Sequence, residues 1–414
     1  MLYWSDEKSA HLFIELYVSV IARAAEQTGS FVEFFNITGQ KPVMKTEEEM
    51  TVAAGKLKEA FAKVKGYKGE YLRDMLRAVE TLLALTKGEK IPYKEAVRRI
   101  LGFDYREISR ERFDRISREV DRILTEDGYD QPTTGLKVKQ WFEYNLLQPE
   151  ELEGTAKSVL ALLRRETHRI IPIPEEEGGG TFSLTEGVSW AAFSDYQGHY
   201  VTNMLMNRES IWKRPNFIDT VAHELYPGHH TWYTRREQLF YEDKIPLEAS
   251  VLGIASAEDL LFEGMPESGV HFLGIDDPEV VTEGIDCETK HKITLARMII
   301  QCTRILEINA CYHYHVDGAS KEQVVEELMS GGWMERAVAE RVFRYFSHPY
   351  NSLYYPSYYY GRWILTYAYD RFSKEDRALF FKTAYDEPHS TATFIRRIED
   401  LTGEPFDPVA MAQE

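Results

Sequence analysis

The sequence predicts a mainly α-helical protein of many helices with a small β-sheet. Three observations predict this. Through the first ~170 residues apolar side chains recur at helical spacing. Between 181 and 205 the pattern changes to short β-favouring runs broken by Gly and Asp. From about residue 215 to the end helical spacing returns.

Taken in order, amphipathic helices are expected over 7–27, 46–64, 69–87, 92–101, 106–126 and 150–170, with joints such as TGQKP and TKGEKIP between them. Their 3.6-residue period is a burial signal, so this stretch reads as scaffold. IPIPEEEGGG, 171–180, is a Pro-, acid- and Gly-rich break. It divides an N-terminal helical lobe, 1–175, from a catalytic lobe, 176–414, the two forming one cleft. TFSLTEGVSWAAFSDYQGHYVTNML, 181–205, supplies the small sheet. A strand within 198–206, GHYVTNMLM, is expected to offer its edge to an extended peptide. The clearest later helix runs from 290 to 315, and no repeat of 20–50 residues suggests a solenoid.

Composition narrows the function. The chain has 414 residues, 43% of them hydrophobic, enough for a large core. Its net charge of −18 argues against a nucleic-acid partner, because no basic stripe would meet the phosphates. Three cysteines are too few for a disulfide framework. The N-terminal run carries Asp6, Glu7, Lys8 and Glu15, which suits neither a signal peptide nor a spanning helix. A cytoplasmic protein with no membrane partner is expected; the sequence does not encode an oligomeric state.

The stretch that carries chemistry is VAHELYPGHHTW, 221–232. Zinc hydrolases of the HExxH type place two His at i and i+4 on one helical face, with the intervening Glu as general base. Here His223-Glu224 is followed by Pro227, and histidines return only at His229 and His230. A step of six in a regular helix is roughly 9 Å of rise and 240° of turn, and a step of seven about 10.5 Å of rise. Neither pair chelates one ion from an ideal helix. Pro227 removes a backbone donor, and Gly228 permits backbone angles closed to other residues, so the two could bulge the helix and return a His to His223. A third ligand is sought in DLLFEGMPESGVHFLG, 259–274. Glu263 and Glu267 both qualify; Glu263 is preferred because it directly follows apolar residues. His/His/Glu favours Zn2+, while Mn2+ and Co2+ also suit such ligands.

An oxyanion built during carbonyl hydrolysis needs donors beside the metal. SHPYNSLYYPSYYYGRW, 347–363, is rich in them, and His348 and Arg362 are candidates for holding substrate. Arg341 and Arg344 compete with Arg362 for a substrate carboxylate.

Four segments together resemble domain-of-unknown-function family 885, grouped with the zinc metallopeptidases. His223-Glu224-Leu225-Tyr226-Pro227-Gly228-His229-His230 resembles its HExxPGH(H) signature. Glu263-Gly264 resembles its EGWA segment. His315, Gly318 and Ser320-Lys321-Glu322-Gln323 resemble its H-x-x-G-W-T-x-E-Q segment. Ser357-Tyr358-Tyr359-Tyr360-Gly361 resembles its SY-x-x-G. The segments keep the family's order from 223 to 361, and the resemblance does not reach the N-terminal lobe. Met265-Pro266 and Ala319 depart from it, which bears on the substrate pocket more than on the metal. The resemblance implies a multi-helix metallopeptidase-like fold, similar in plan to the helical HExxH carboxypeptidases, with the small β-sheet beside the active-site helix. It implies His223, His229 and Glu263 as metal ligands, Glu224 as general base, and Tyr358 and His315 as stabilisers of the transition state.

The expected function is therefore a zinc-dependent metallopeptidase, a carboxypeptidase or oligopeptidase, acting on a peptide or small-molecule substrate. The rivals are a metal-dependent hydrolase of a non-peptide amide or ester, and a non-enzymatic peptide-binding protein.

Overall fold

Amphipathic helices with readable caps build the first part of the chain. The computed structural model describes residues 1–29, 33–188 and 190–413. The first elements are α1 (Glu7–Thr28), β1 (Glu33–Asn36), α2 (Glu47–Phe61), α3 (Gly66–Thr86), α4 (Tyr93–Leu101), α5 (Arg110–Glu126), α6 (Thr134–Tyr144) and α7 (Pro149–Ile170). Asp6 accepts from the Ser9 amide at the start of α1, and Thr46 with Glu49 forms a capping box on α2. Ser109 caps α5, which therefore begins four residues later than its apolar pattern suggests. Gly102, at φ 78°, stops α4 in a left-handed cap. Helix α6 was not expected from the sequence; it buries Val138, Trp141 and Phe142.

The second part contains β2 (Gly179–Thr185), β3 (Ala192–Gly198), β4 (Val201–Asn207), α8 (Arg214–Glu224), α9 (His229–Tyr241), β5 (Val251–Gly253), α10 (Asp259–Phe272) and α11 (Cys287–Tyr312). It closes with α12 (Lys321–Met329), α13 (Arg336–Phe346), α14 (Asn351–Tyr354), α15 (Ser357–Asp370), α16 (Arg377–Phe381), α17 (Thr391–Thr402) and α18 (Pro408–Met411). The fold is mainly helical with small sheets, as the sequence predicts. No described helix is long and apolar enough to cross a membrane.

The three-stranded sheet has the order β2-β4-β3. β4 runs parallel to β2, with Gly179 opposite Val201, and antiparallel to β3, with Ala192 opposite Met206. His199 and Tyr200, at φ 53° and 61°, form the two-residue turn between β3 and β4. This corrects the expectation for 198–206. Gly198 ends β3, residues 199 and 200 turn, and 201–207 form the central strand with both sides paired, so β4 has no edge to offer a peptide. The edges belong to β2 and β3. A second, two-stranded sheet joins β1 to β5 antiparallel and so ties residues 33–36 to 251–253.

One apolar core gathers residues from both ends of the chain, including Phe13, Leu57, Tyr71, Phe262, Tyr360 and Phe394. A smaller one packs Leu163, Met204 and Met206 against Phe217 and Val221. Within the larger core α10 and α15 cross almost backbone to backbone. A Cβ on Gly264 would stand 2.4 Å from the Gly361 carbonyl oxygen, and one on Gly361 would stand 2.2 Å from that of Leu260. Glycine at both positions is what lets the two helices lie this close. The contact fixes where α10 carries Glu263 relative to α15, which carries Tyr358.

Candidate metal centre

The 223–230 segment is a break between two helices rather than a bulge within one. α8 ends at Glu224, Leu225 leaves helical geometry, the Tyr226–Pro227 peptide is cis, and α9 begins at His229. Hydrogen bonds across the break span six residues. The Gly228 amide donates to the Ala222 carbonyl at 2.9 Å and the Thr231 amide to the Leu225 carbonyl at 3.2 Å. Glycine is required at 228 for space: a Cβ there would stand 1.9 Å from the His223 carbonyl oxygen. The break swings His229 beside His223, with ring centroids 4.8 Å apart and planes at 86°.

α10 brings the carboxylate. Glu263 Oε2 lies 3.4 Å from His223 Nε2, and Oε1 lies 3.6 Å from His229 Nε2. Ligand atoms of the three residues all fall within 4.8 Å of one another. Two donors on one tetrahedral zinc stand about 3.3–3.5 Å apart, so the spacing suits such an ion. One atom points the same way: Glu263 Oε2 is buried without a hydrogen-bond partner, whereas the orphaned His229 Nδ1 is not the nitrogen that faces Glu263. Such orphans are costly in a core, and a cation offsets the cost at the carboxylate. Burial pushes the Glu263 carboxyl up to about 7, although His223 and a hydrogen bond from Tyr354 act to lower it. Burial and the neighbouring His223 hold the His229 ring well below its ordinary value.

Two ambiguities left by the sequence resolve geometrically. His230 is fully buried and turned away, with Nδ1 2.8 Å from Thr202 Oγ1 and Nε2 2.8 Å from Glu177 Oε1. Neither nitrogen is left for an ion. Glu267 shares a face with Glu263 because α10 continues through Pro266. Its Oε1 lies 3.6 Å from His223 Nδ1, the ring nitrogen away from Glu263, and 3.3 Å from Arg304 Nη2.

Glu224 is buried at the end of α8, and burial raises its carboxyl above the usual carboxylate value. Ser194 Oγ of β3 lies 2.7 Å from Glu224 Oε2 and 2.6 Å from the Glu224 carbonyl oxygen. A second clasp holds the same strand. Glu237 of α9 accepts the amides of His199 at 3.1 Å and Tyr200 at 3.0 Å, and the Tyr196 hydroxyl. Edge strand β3 is thus fastened alongside the Glu224 carboxylate.

Tyr358, in the first turn of α15, stacks over His223 with centroids 6.4 Å apart. The Arg304 guanidinium lies 4.8 Å from its ring centroid, and the Tyr345 hydroxyl 3.5 Å from its own. Other residues expected at the site have no described contact with the ligand trio. His315 stacks on Tyr93 at 4.3 Å, with Nε2 2.7 Å from the Phe346 carbonyl; no described contact joins it to the ligand trio. His348 Nδ1 accepts the amides of Tyr350 and Asn351 and so caps α14. Arg362 is buried, and burial with the nearby Arg297 charge holds its guanidinium down at about 10. The carboxylates of Glu267, Asp219 and Asp276 surround this guanidinium and favour its charge. Arg341 and Arg344 are exposed on α13.

Sequence reasoning missed Ser194, Glu237, Arg304 and Tyr354. The Tyr354 hydroxyl donates to Glu263 Oε1. Its one available signal was the four-residue step to Tyr358 inside the tyrosine-rich stretch.

No family model matches this chain, and no curated protein matches it. Solved structures do. One is described as "the putative lipoprotein from Colwellia psychrerythraea", with a TM-score of 0.59 and 15% identity over 88% of this chain and 65% of that one. Another is "a putative lipoprotein of unknown function from Shewanella oneidensis", with a TM-score of 0.52 and 14% identity over 87% of this chain and 68% of that one. This chain therefore spans slightly less than two thirds of the first structure's length. At these identities the likeness is one of fold.

Proposed function

We propose that the protein is a metal-dependent peptidase, with His223, His229 and Glu263 holding a zinc ion. The observation that carries this reading is the convergence of those three donors next to the buried Glu224 carboxylate, with the orphaned Glu263 Oε2 at the point of convergence. Zinc in such a site supplies Lewis acidity toward water and a carbonyl oxygen.

The protein's own groups account for the rest. Glu224 takes a proton from the attacking water and delivers it to the leaving amine. Its elevated carboxyl suits both directions of transfer, and Ser194 holds it in place. Tyr358 stays protonated, because burial and the Glu263 charge raise its hydroxyl well above the ordinary value, and so it donates to the developing oxyanion. Glu267, paired with Arg304, faces the His223 ring on the side away from Glu263. The substrate class follows from β3: an edge strand fastened beside the general base presents unpaired backbone groups to an extended peptide. A compact ester or acyl amide has no use for that strand.

Glu224→Gln tests the reading. With short peptides as substrates, hydrolysis is expected to fall by about 10²–10⁴-fold while zinc content stays at the wild-type level. Undiminished hydrolysis in the variant, or activity on acyl compounds but no peptide, refutes the assignment.

A further inference from the structure

The 171–180 break reads as a joint between lobes, yet one of its acids is among the most enclosed carboxylates in the molecule. The Glu177 side chain is 1% exposed and carries four partners. Oε2 faces α7, with Arg164 Nη2 at 2.8 Å and His168 Nε2 at 3.3 Å. Oε1 faces the helix break, accepting from the Tyr226 hydroxyl and lying 2.8 Å from His230 Nε2. The same Tyr226 oxygen accepts the Gly180 amide at 2.9 Å. Thr202 of β4 completes the set by donating to His230 Nδ1 at 2.8 Å.

Position in the chain gives the cluster its meaning. Tyr226 and His230 bracket Pro227, Gly228 and His229. One carboxylate oxygen therefore grips both sides of the break that presents the candidate ligand, where ordinary helical hydrogen bonds are missing. His229 cannot provide this hold itself, since its Nδ1 has no partner. The two ligand rings face Glu263 at 3.4 and 3.6 Å, and donors around a small ion tolerate little displacement.

We infer that Glu177 is a positioning residue for the metal centre, setting zinc affinity by clamping Tyr226 and His230 on either side of His229. The inference rests on the metal reading above. It explains why the second His of the pair is present although it reaches no ligand position: its ring is the handle, and the Glu177 and Thr202 bonds use both of its nitrogens.

The test is Zn2+ affinity, measured by competition with a chromophoric chelator, together with the visible spectrum of the Co2+-loaded full chain. Glu177→Ala is expected to weaken zinc about 10–100-fold and to alter the cobalt spectrum. Glu177→Gln keeps an oxygen for Tyr226 and His230 and is expected to recover most of that loss. Thr202→Val, which releases only one side of the His230 ring, is expected to lose a few-fold and provides a mild variant should Glu177→Ala fail to fold. The control is Glu248→Ala, removing a fully buried carboxylate that holds Ser5 and Trp4 instead. It is expected to lower Tm with zinc affinity unchanged. Equal losses in Glu177→Ala and Glu248→Ala would reduce the effect to general stability and overturn the clamp. Wild-type affinity in folded Glu177→Ala or Thr202→Val would overturn it as well. A wild-type protein that binds no zinc strikes the metal reading itself, before any variant is compared.

Discussion

α5 and α9 are both regular helices, and they meet opposite demands. α5 buries four of its 17 residues, Arg112, Phe113, Val120 and Leu124, and leaves the rest half-buried or exposed, with Arg122 paired to Glu119 and Glu126. α9 buries 11 of its 13, among them His229, His230, Arg235, Arg236 and Glu237. On α5 the apolar stripe does the work, and no polar residue but Arg112 is buried. On α9 most buried polar side chains have a designated neighbour: Glu177 and Thr202 for His230, Asp386 for Arg235, Glu258 for Arg236, and the turn amides for Glu237. α10 follows α9, with 12 of 14 residues buried and Glu263 among them. A helix immersed on every side can hold its polar atoms in fixed places, which a metal centre requires; a half-wet helix is free to drift.

The largest effect should come from prising the immersed helices apart. Gly361→Ala sets a methyl 2.2 Å from the Leu260 carbonyl oxygen, backbone against backbone. The expected loss exceeds about 3 kcal/mol in chemical denaturation, with metal affinity falling alongside, because the same contact places Glu263. Stability and zinc affinity both unchanged would mean that the crossing of α10 and α15 does not set the site. Leu124→Ala makes the matching cut on the amphipathic side. It should cost about 2–5 kcal/mol of stability by opening a cavity, yet leave zinc affinity per folded molecule as it was. A drop in that affinity would erase the distinction between the two regions.

A smaller effect lies at the wet end of α10. His271 Nδ1 lies 3.4 Å from Asp276 and Nε2 3.1 Å from Asp370. Burial opposes its charge, but the two carboxylates prevail and lift the ring to about 9. A folded value above the ordinary 6.5 means stabilisation that is complete below about pH 6.5 and lost as pH rises through about 9. The stability gap between wild type and His271→Asn, followed by urea midpoints, should therefore narrow across that window. A gap of constant size would show that packing, not charge, is what His271 contributes.

The same contrast explains what the sequence could reveal. Helices such as Glu7–Thr28 and Pro149–Ile170 are legible because a dry stripe and a cap signal, Asp6 or Gln148 with Glu151, are local properties. TGLKVKQWFEY hid its helix because its apolar residues are few and two of them, Trp141 and Phe142, are adjacent. GHYVTNMLM alternates in a way that suits a central and an edge strand equally, and only pairing partners tell them apart. The approach of His223, His229 and Glu263 was legible as motif letters, since Pro-Gly marks a break in any helix. His315, His348 and Arg362 were not, because rings and guanidinium groups in an aromatic-rich region also stack, cap and balance buried charge. Ser194 and Glu237 act across the fold, 30 and 38 residues from Glu224 and His199, and no local pattern points to them.

The most direct test of the account is the zinc content of the chain purified without chelator, for wild type and His229→Ala side by side. The account predicts close to one zinc per wild-type chain and none in the variant, with helix content preserved. Zinc retained at the wild-type level in a folded His229→Ala protein, or absent from wild type even after zinc is supplied, would contradict it.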